Sequence, residues 1–154
     1  MQRRSFLKGT LAGSAVAVAV GAGLLSPRAV LAAWPKAAFE AKSVNDAMSK
    51  LFGSADNTPS ADIKIKAPDI AENGAVVPVS VRTSMSNVDS IAVIAEKNGT
   101  PLASNFKLSA NTLPNVSTRI KMGKTSDVIA VVKANGKAYS ARKNVKVTIG
   151  GCGG

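Results

Sequence analysis

The chain has 154 residues, enough for one domain together with whatever processing removes. Twenty Lys and Arg against nine Asp and Glu give a formal charge of +11, and the chain contains one Cys and no His. The absence of histidine excludes Ser–His and Cys–His catalytic arrangements and any His-ligated metal site. The acids are isolated along the chain, without the pairs or Asp-rich loops typical of catalysis or metal binding, so we expect neither kind of site.

The positive charge is spread along the chain rather than gathered into basic runs. After residue 33, sixteen basic residues face nine acidic ones, and the aromatic residues form no RNA-binding motif. A diffuse positive field favours attraction of small anions or of an acidic protein partner, and we expect no nucleic acid partner.

Residues 1–33 predict a cleaved signal peptide. Arg3-Arg4-Ser5-Phe6-Leu7-Lys8 has the core of a twin-arginine (Tat) signal, and an apolar run rich in Ala, Val and Gly follows. We expect cleavage after Ala32 or Ala33. The alternative is an uncleaved membrane anchor, but the run is near the shortest length that spans a bilayer. We therefore expect Tat export to the periplasm and a mature chain that is not attached to a membrane.

Residues 34–60 are expected to form a helical segment and a linker. Ser43 is a predicted N-cap, Asp46 adds an acid to the first helical turn, and Gly53 ends the helix. One apolar face follows from the helical spacing of Val44, Ala47, Met48 and Leu51. This face could pack on a partner, but we expect it to cover the protein's own domain.

From residue 61 to residue 149 apolar and polar residues alternate with a period of two, which is typical of strands. The dipeptides Asn98-Gly99 and Asn135-Gly136 predict hairpins, and Asn73-Gly74 predicts another turn. About seven short strands predict an all-β fold, an antiparallel immunoglobulin-like β-sandwich with a short N-terminal amphipathic helix. The predicted strand segments are 62–66, 75–82, 90–97, 102–109, 118–122, 128–134, 137–142 and 145–149.

The strand at 76–81 is unusual because both of its faces are apolar at the start. It contains Pro78, which cannot donate a hydrogen bond to a neighbouring strand and therefore favours an edge position. An apolar edge invites pairing with another chain. The alternative is a well-buried strand with a bulge at Pro78.

The final segment, 150–154, places the only cysteine, Cys152, among four glycines. Because glycine is the least restricted residue, we predict a mobile tip that carries the thiol roughly 10 Å beyond Ile149. The glycines cannot bury the thiol, and prenylation needs three residues after the cysteine, whereas two follow here. Two interpretations remain: covalent attachment of a small group to Cys152, or an intermolecular disulfide.

The sequence around Cys152 offers nothing that would activate its thiol. No histidine or predicted helix N-terminus lies nearby to favour the thiolate, and the chain has no second cysteine for disulfide exchange. We therefore expect a carrier on which other enzymes act, and not an enzyme.

Together with the Tat leader and the β-rich body, the tail Gly150-Gly151-Cys152-Gly153-Gly154 resembles the C-terminal arm of the SoxY family. These proteins are sulfur carriers of the periplasmic sulfur-oxidising (Sox) system. The resemblance implies that Cys152 holds thiosulfonate and polysulfane adducts covalently, with no permanently bound cofactor. It also implies that the flanking residues form a flexible swinging arm, namely Gly150, Gly151, Gly153 and Gly154.

The resemblance further implies a heterodimer with a SoxZ-like subunit, for which the 76–81 edge is a candidate contact. Transient contacts with SoxAX, SoxB and SoxCD-like enzymes are implied as well. Two lysines near the arm, Lys143 and Lys146, either orient anionic cargo or serve solubility alone. The alternative function is a structural or adhesive periplasmic β-sandwich cross-linked through a Cys152 disulfide.

Overall fold

A computed structural model of the chain describes residues 34–148. The predicted signal peptide and the predicted arm with Cys152 lie outside the described residues. The described part contains two helices, α1 (Lys36–Phe39) and α2 (Val44–Phe52), and then nine strands. These are β1 (Thr58–Pro59), β2 (Ile63–Lys66), β3 (Ile70–Ala71), β4 (Val77–Thr83), β5 (Val88–Ala95), β6 (Leu102–Lys107), β7 (Asn115–Ile120), β8 (Ser126–Ala134) and β9 (Lys137–Val147).

The strands form two sheets. The larger has the order β1-β9-β8-β5-β6, with β3 also paired to β9, and the smaller has the order β2-β4-β7. All long pairings are antiparallel, whereas the two-residue strands β1 and β3 run parallel to β9. The all-β, immunoglobulin-like sandwich is confirmed. Helix α1 and the short strands β1 and β3 were not predicted individually.

Strands β5 and β8 are apolar on both faces and therefore supply two cores. Side chains of successive strand residues point to opposite faces of a sheet. Val93 accordingly belongs to the core shared with the smaller sheet, whereas its neighbour Ile94 joins Val131 in a second cluster. That second cluster is completed by Ala47 and Met48 of α2. The helix thus packs on its own domain, as predicted.

Both ends of α2 are fixed by local interactions. The Ser43 hydroxyl accepts a hydrogen bond from the Asp46 backbone N–H at 3.2 Å. At the other end Gly53 adopts a left-handed conformation (φ 85°), and its N–H donates to the Ser49 carbonyl at 2.9 Å. These observations confirm the predicted caps.

Within residues 34–148 no helix is long and apolar enough to cross a bilayer.

The two predicted hairpins form, but their turns differ. Asn135 and Gly136 both have positive φ (51° and 75°), as a two-residue turn between antiparallel strands requires. Neither residue of Asn98-Gly99 has a positive φ. Instead, the Asn98 side-chain amide donates to the Lys121 carbonyl at 2.7 Å and accepts from the Gly123 N–H at 3.0 Å. This turn is therefore fixed by the neighbouring loop.

The prediction of an edge strand at Pro78 is wrong. β4 lies between β2 and β7, and its register with β7 runs from Val77 to Arg82 without a shift, so a bulge at Pro78 is also wrong. Pairing with β2 ends at Ser80, so Pro78 lies where β4 has a partner on one side only. Val77 and Val79 are buried in the core, with 0% and 2% exposure. These valines stabilise the protein's own core, so the apolar edge on which the candidate partner contact at 76–81 rested is not exposed.

Candidate functional site at the end of strand β9

The last strand is longer than predicted and leads directly toward the predicted arm. The segments 137–142 and 145–149 were predicted as separate strands, but β9 is continuous from Lys137 to Val147 and pairs with β8 along most of that length. Polar residues Lys143 and Asn144 interrupt the apolar alternation in the sequence. In the structure both have partners, since Lys143 Nζ lies 3.1 Å from Asp69 Oδ1 and Asn144 donates to the Asp127 carboxylate at 2.8 Å.

One side of the end of β9 is held by strand β3 and the residue before it. The Lys146 N–H donates to the Asp69 carbonyl at 2.9 Å, and the Thr148 N–H donates to the Ala71 carbonyl at 3.1 Å. Successive backbone N–H groups of a strand point to opposite sides, so these two bonds share one side of β9.

The other side is held by the hydroxyl of Thr125, which lies just before β8. The Val147 N–H donates to Thr125 Oγ1 at 2.9 Å, and that hydroxyl lies 3.4 Å from the Val147 carbonyl oxygen. Residues 146–148, which we call the arm root, are therefore hydrogen-bonded on both sides of the strand. The arm root is thus a fixed part of the domain.

The arm root also packs closely against Gly74. A Cβ at Gly74 would lie 2.8 Å from Val147 Cγ1 and even closer to the carbonyl oxygen of Met122. The Met122 N–H donates to the Gly74 carbonyl at 2.7 Å, and the Met122 side chain is 1% exposed. Only a residue without a side chain permits this approach. The Asn73-Gly74 turn was predicted from the sequence, but its contact with the arm root was not.

Comparisons with known proteins identify the family of the chain. The family model described as "Sulfur oxidation protein SoxY" matches residues 48–152, a range that includes Cys152. The structure of the sulfur carrier protein SoxY from Chlorobium limicola f thiosulfatophilum is 43% identical, with a TM-score of 0.64. The match covers 70% of this chain and 97% of that chain. The chain belongs to the SoxY family.

More distant matches show the fold alone. Two structures of superoxide reductase (neelaredoxin) from Ignicoccus hospitalis, one of them a variant, are 20% and 21% identical with TM-scores of 0.50. They cover 56% and 66% of this chain, and the chain covers 80% and 86% of them. No curated protein matches the chain. Residues 34–148 contain no group of three or more His, Cys, Asp or Glu that could hold a metal ion.

The two lysines next to the arm have different surroundings in this SoxY family member. Lys143 forms an ion pair with Asp69, so its charge already has a partner. Lys146 is exposed and forms no ion pair in the part of the chain that the structure describes. A role in orienting anionic cargo therefore stays a prediction for Lys146 and becomes less favourable for Lys143. Cys152 and the four arm glycines lie outside the described residues, so their roles also stay predictions.

Proposed function

We propose that this SoxY family member carries sulfur intermediates covalently on Cys152 and presents them to partner enzymes. The observation that carries the proposal is that the family match runs through Cys152 in a chain that has no other thiol. The arm root supports it, because Thr148 is bonded to the domain and Cys152 follows four residues later. Four residues span at most about 14 Å, so the cargo would stay within that distance of a fixed point.

Partner enzymes must be able to reach the thiol, and the four glycines around Cys152 would provide that access. A partner enzyme that acts on a carrier-bound sulfur must admit the arm into its own active site. Gly150, Gly151, Gly153 and Gly154 add no side chains to the arm, so the thiol could enter a narrow cleft. In this proposal the β-sandwich is a rigid support and the arm is the part that swings.

The proposed chemistry is carried out by enzymes that act on Cys152. Loading joins the Cys152 sulfur to thiosulfate through a new S–S bond and releases one proton and two electrons, which a SoxAX-type haem enzyme accepts. A SoxB-type enzyme then adds water across the bond to the terminal sulfone, so that sulfate leaves and a persulfide remains on Cys152. The remaining sulfane sulfur is oxidised by a SoxCD-like enzyme or passed on. The carrier itself needs no permanently bound cofactor.

The proposal is tested by turnover of the carrier with its partner enzymes. Cys152→Ser should abolish loading with thiosulfate while leaving the melting temperature unchanged. Replacing Gly151 and Gly153 by leucine should keep the thiol but slow turnover, because bulky side chains obstruct entry into the cleft. Gly99→Leu, on an exposed turn with open space around the position of the new Cβ, is the control and should turn over normally. Equal rates for the arm variant and the control would contradict the swinging arm.

Export and assembly complete the proposal. Tat export would deliver the chain to the periplasm, cleaved after Ala32 or Ala33, where it would form a heterodimer with a SoxZ-like subunit. Replacing both Arg3 and Arg4 by lysine should retain the precursor in the cytoplasm, whereas Arg28→Lys should not. A mature chain found only in the cytoplasm would contradict the localisation. A mature chain that purifies from its native cells as a monomer would contradict the heterodimer.

A further inference from the structure

The outer face of the smaller sheet carries an excess of positive charge. On β2, β4 and β7 the side chains that point away from the core occupy eight positions, four of them cationic and none acidic. We call this surface the basic face, and it is formed by Lys64, Lys66, Pro78, Ser80, Arg82, Asn115, Ser117 and Arg119. The nearest acid in sequence, Asp62, precedes β2 and lines a surface pocket together with Lys64 and Arg82, but it forms no ion pair within residues 34–148.

Four cations elsewhere on the domain are paired with acids. Arg142 lies 3.0 Å from a Glu96 carboxylate oxygen and 3.7 Å from one of Asp127. Lys50 pairs with Asp46 at 2.8 Å, and Lys143 pairs with Asp69. The four cations of the basic face form no ion pair among the described residues. Eight cations elsewhere in the described chain are also unpaired, so what distinguishes the basic face is the close grouping of four unpaired cations on one face of one sheet, with no acid among its eight outward positions.

The arrangement on the basic face is unfavourable for the isolated domain. Lys64 lies directly opposite Arg82 in the β2–β4 register, and like charges in opposite positions destabilise a sheet. Solubility alone does not require adjacent like charges, since the same number of lysines dispersed among the acids would serve it. Carboxylates supplied by a partner would offset the repulsion between Lys64 and Arg82 and would attract both cations.

We propose that the basic face docks the acidic surface of a protein partner. The centre of the basic face is occupied by Ser80 and Ser117, whose hydroxyls are hydrogen-bonded to each other. No bulky side chain there would prevent a flat partner surface from approaching the sheet. Cations two residues apart along β2 are separated by roughly 7 Å, which spreads the charge over an area rather than directing it at one point. This inference does not depend on Cys152, so each can fail without the other.

Other anionic partners fit the face less well. Single-stranded nucleic acid is bound by aromatic side chains that stack on bases, and the eight outward positions contain none. Binding at a membrane surface adds large apolar side chains to the cations, and these positions also lack them. A small anion needs convergent donors, whereas these charges are distributed over three strands.

The experiment uses the mature chain and a poly-L-glutamate peptide as the acidic probe, with binding followed by backbone amide NMR. The largest shifts should map to β2, β4 and β7. Lys64→Glu with Arg82→Glu should weaken binding by roughly tenfold relative to Lys97→Glu with Lys137→Glu. The second pair changes the net charge equally at exposed positions, Lys97 in a turn and Lys137 at the start of β9. Binding should weaken as salt shortens the Debye length from about 10 Å at 0.1 M to about 3 Å at 1 M.

Stability supplies a second readout that does not need the probe. Lys64→Gln should raise the melting temperature by about 1–4 °C because it removes the repulsion with Arg82, whereas Lys97→Gln should leave it unchanged. Equal weakening by the two double variants would overturn the proposal. So would tighter binding of duplex DNA or anionic phospholipid vesicles than of the peptide, or the same shifts with inorganic sulfate alone.

Discussion

Gly74→Ala is the substitution that most sharply tests how the arm root is held. The new Cβ would lie 2.8 Å from Val147 Cγ1, whereas unstrained carbon atoms are about 3.5–4.0 Å apart. Val147 could move part of that distance by turning its side chain. The carbonyl of Met122, which the Cβ would approach even more closely, belongs to the main chain and cannot turn away.

The magnitude follows from which atoms must move. Met122 is tied to Gly74 by a 2.7 Å hydrogen bond, and its side chain is buried, so relief requires a backbone shift between the two segments. Forcing an extra carbon into a well-packed site typically destabilises a protein by about 1–3 kcal/mol. For a domain of this size about 1 kcal/mol lowers the melting temperature by roughly 4 °C. We therefore expect a decrease of about 4–12 °C.

The assay is thermal unfolding followed by circular dichroism, with Gly99→Ala as the matched control. Gly99 has an ordinary φ, and no atom lies within 4 Å of the position its Cβ would take, so this substitution should change stability by less than about 1 kcal/mol. Hydrogen exchange at the Thr148 amide should also accelerate in Gly74→Ala, because that amide is bonded at the arm root. Equal melting temperatures for the two variants would refute the close packing.

Two other substitutions test the domain that supports the arm. Thr125→Val should cost about 0.5–1.5 kcal/mol and speed exchange of the Val147 amide, measured by NMR, because the hydroxyl that accepts this N–H is lost. Unchanged exchange would show that the bond does not hold the arm root. Val79→Lys should prevent folding, because it places an unpaired charge in a core position with 2% exposure, whereas Ser117→Lys on the exposed face of the same sheet should fold. Circular dichroism distinguishes them, and a folded Val79→Lys protein would contradict the burial of this strand.

Features specified by neighbouring residues could be predicted from the sequence. The ends of α2 depend on Ser43 and Gly53, which act on backbone groups within the same helix. The hairpin at Asn135-Gly136 depends on two residues that tolerate positive φ. The continuous apolar runs of β5 and β8 identify strands, since a strand buried on both faces lacks the alternation of a half-exposed one.

Features that depend on distant partners could not be predicted. Strands β1 and β3 have two residues each, too few for a periodic pattern, and exist because β9 offers its edge. Pro78 follows a rule for edge strands, yet β4 is a central strand. The proline is tolerated because β2 pairs only with the second half of β4, so Pro78 has a neighbouring strand on one side only. The proposed cargo residue Cys152 stands out in the sequence as the only thiol, whereas Thr125 and Gly74 gain their importance only when folding brings them to Val147.

The most direct test of the carrier proposal is the intact mass of the native protein from its own cells grown on thiosulfate. A thiosulfonate or additional sulfur atoms should be found on the mature chain, removed by a reductant and absent from Cys152→Ser. A chain that never carries such an adduct and is found only as a Cys152 disulfide dimer would contradict the proposal and support a cross-linked structural protein instead.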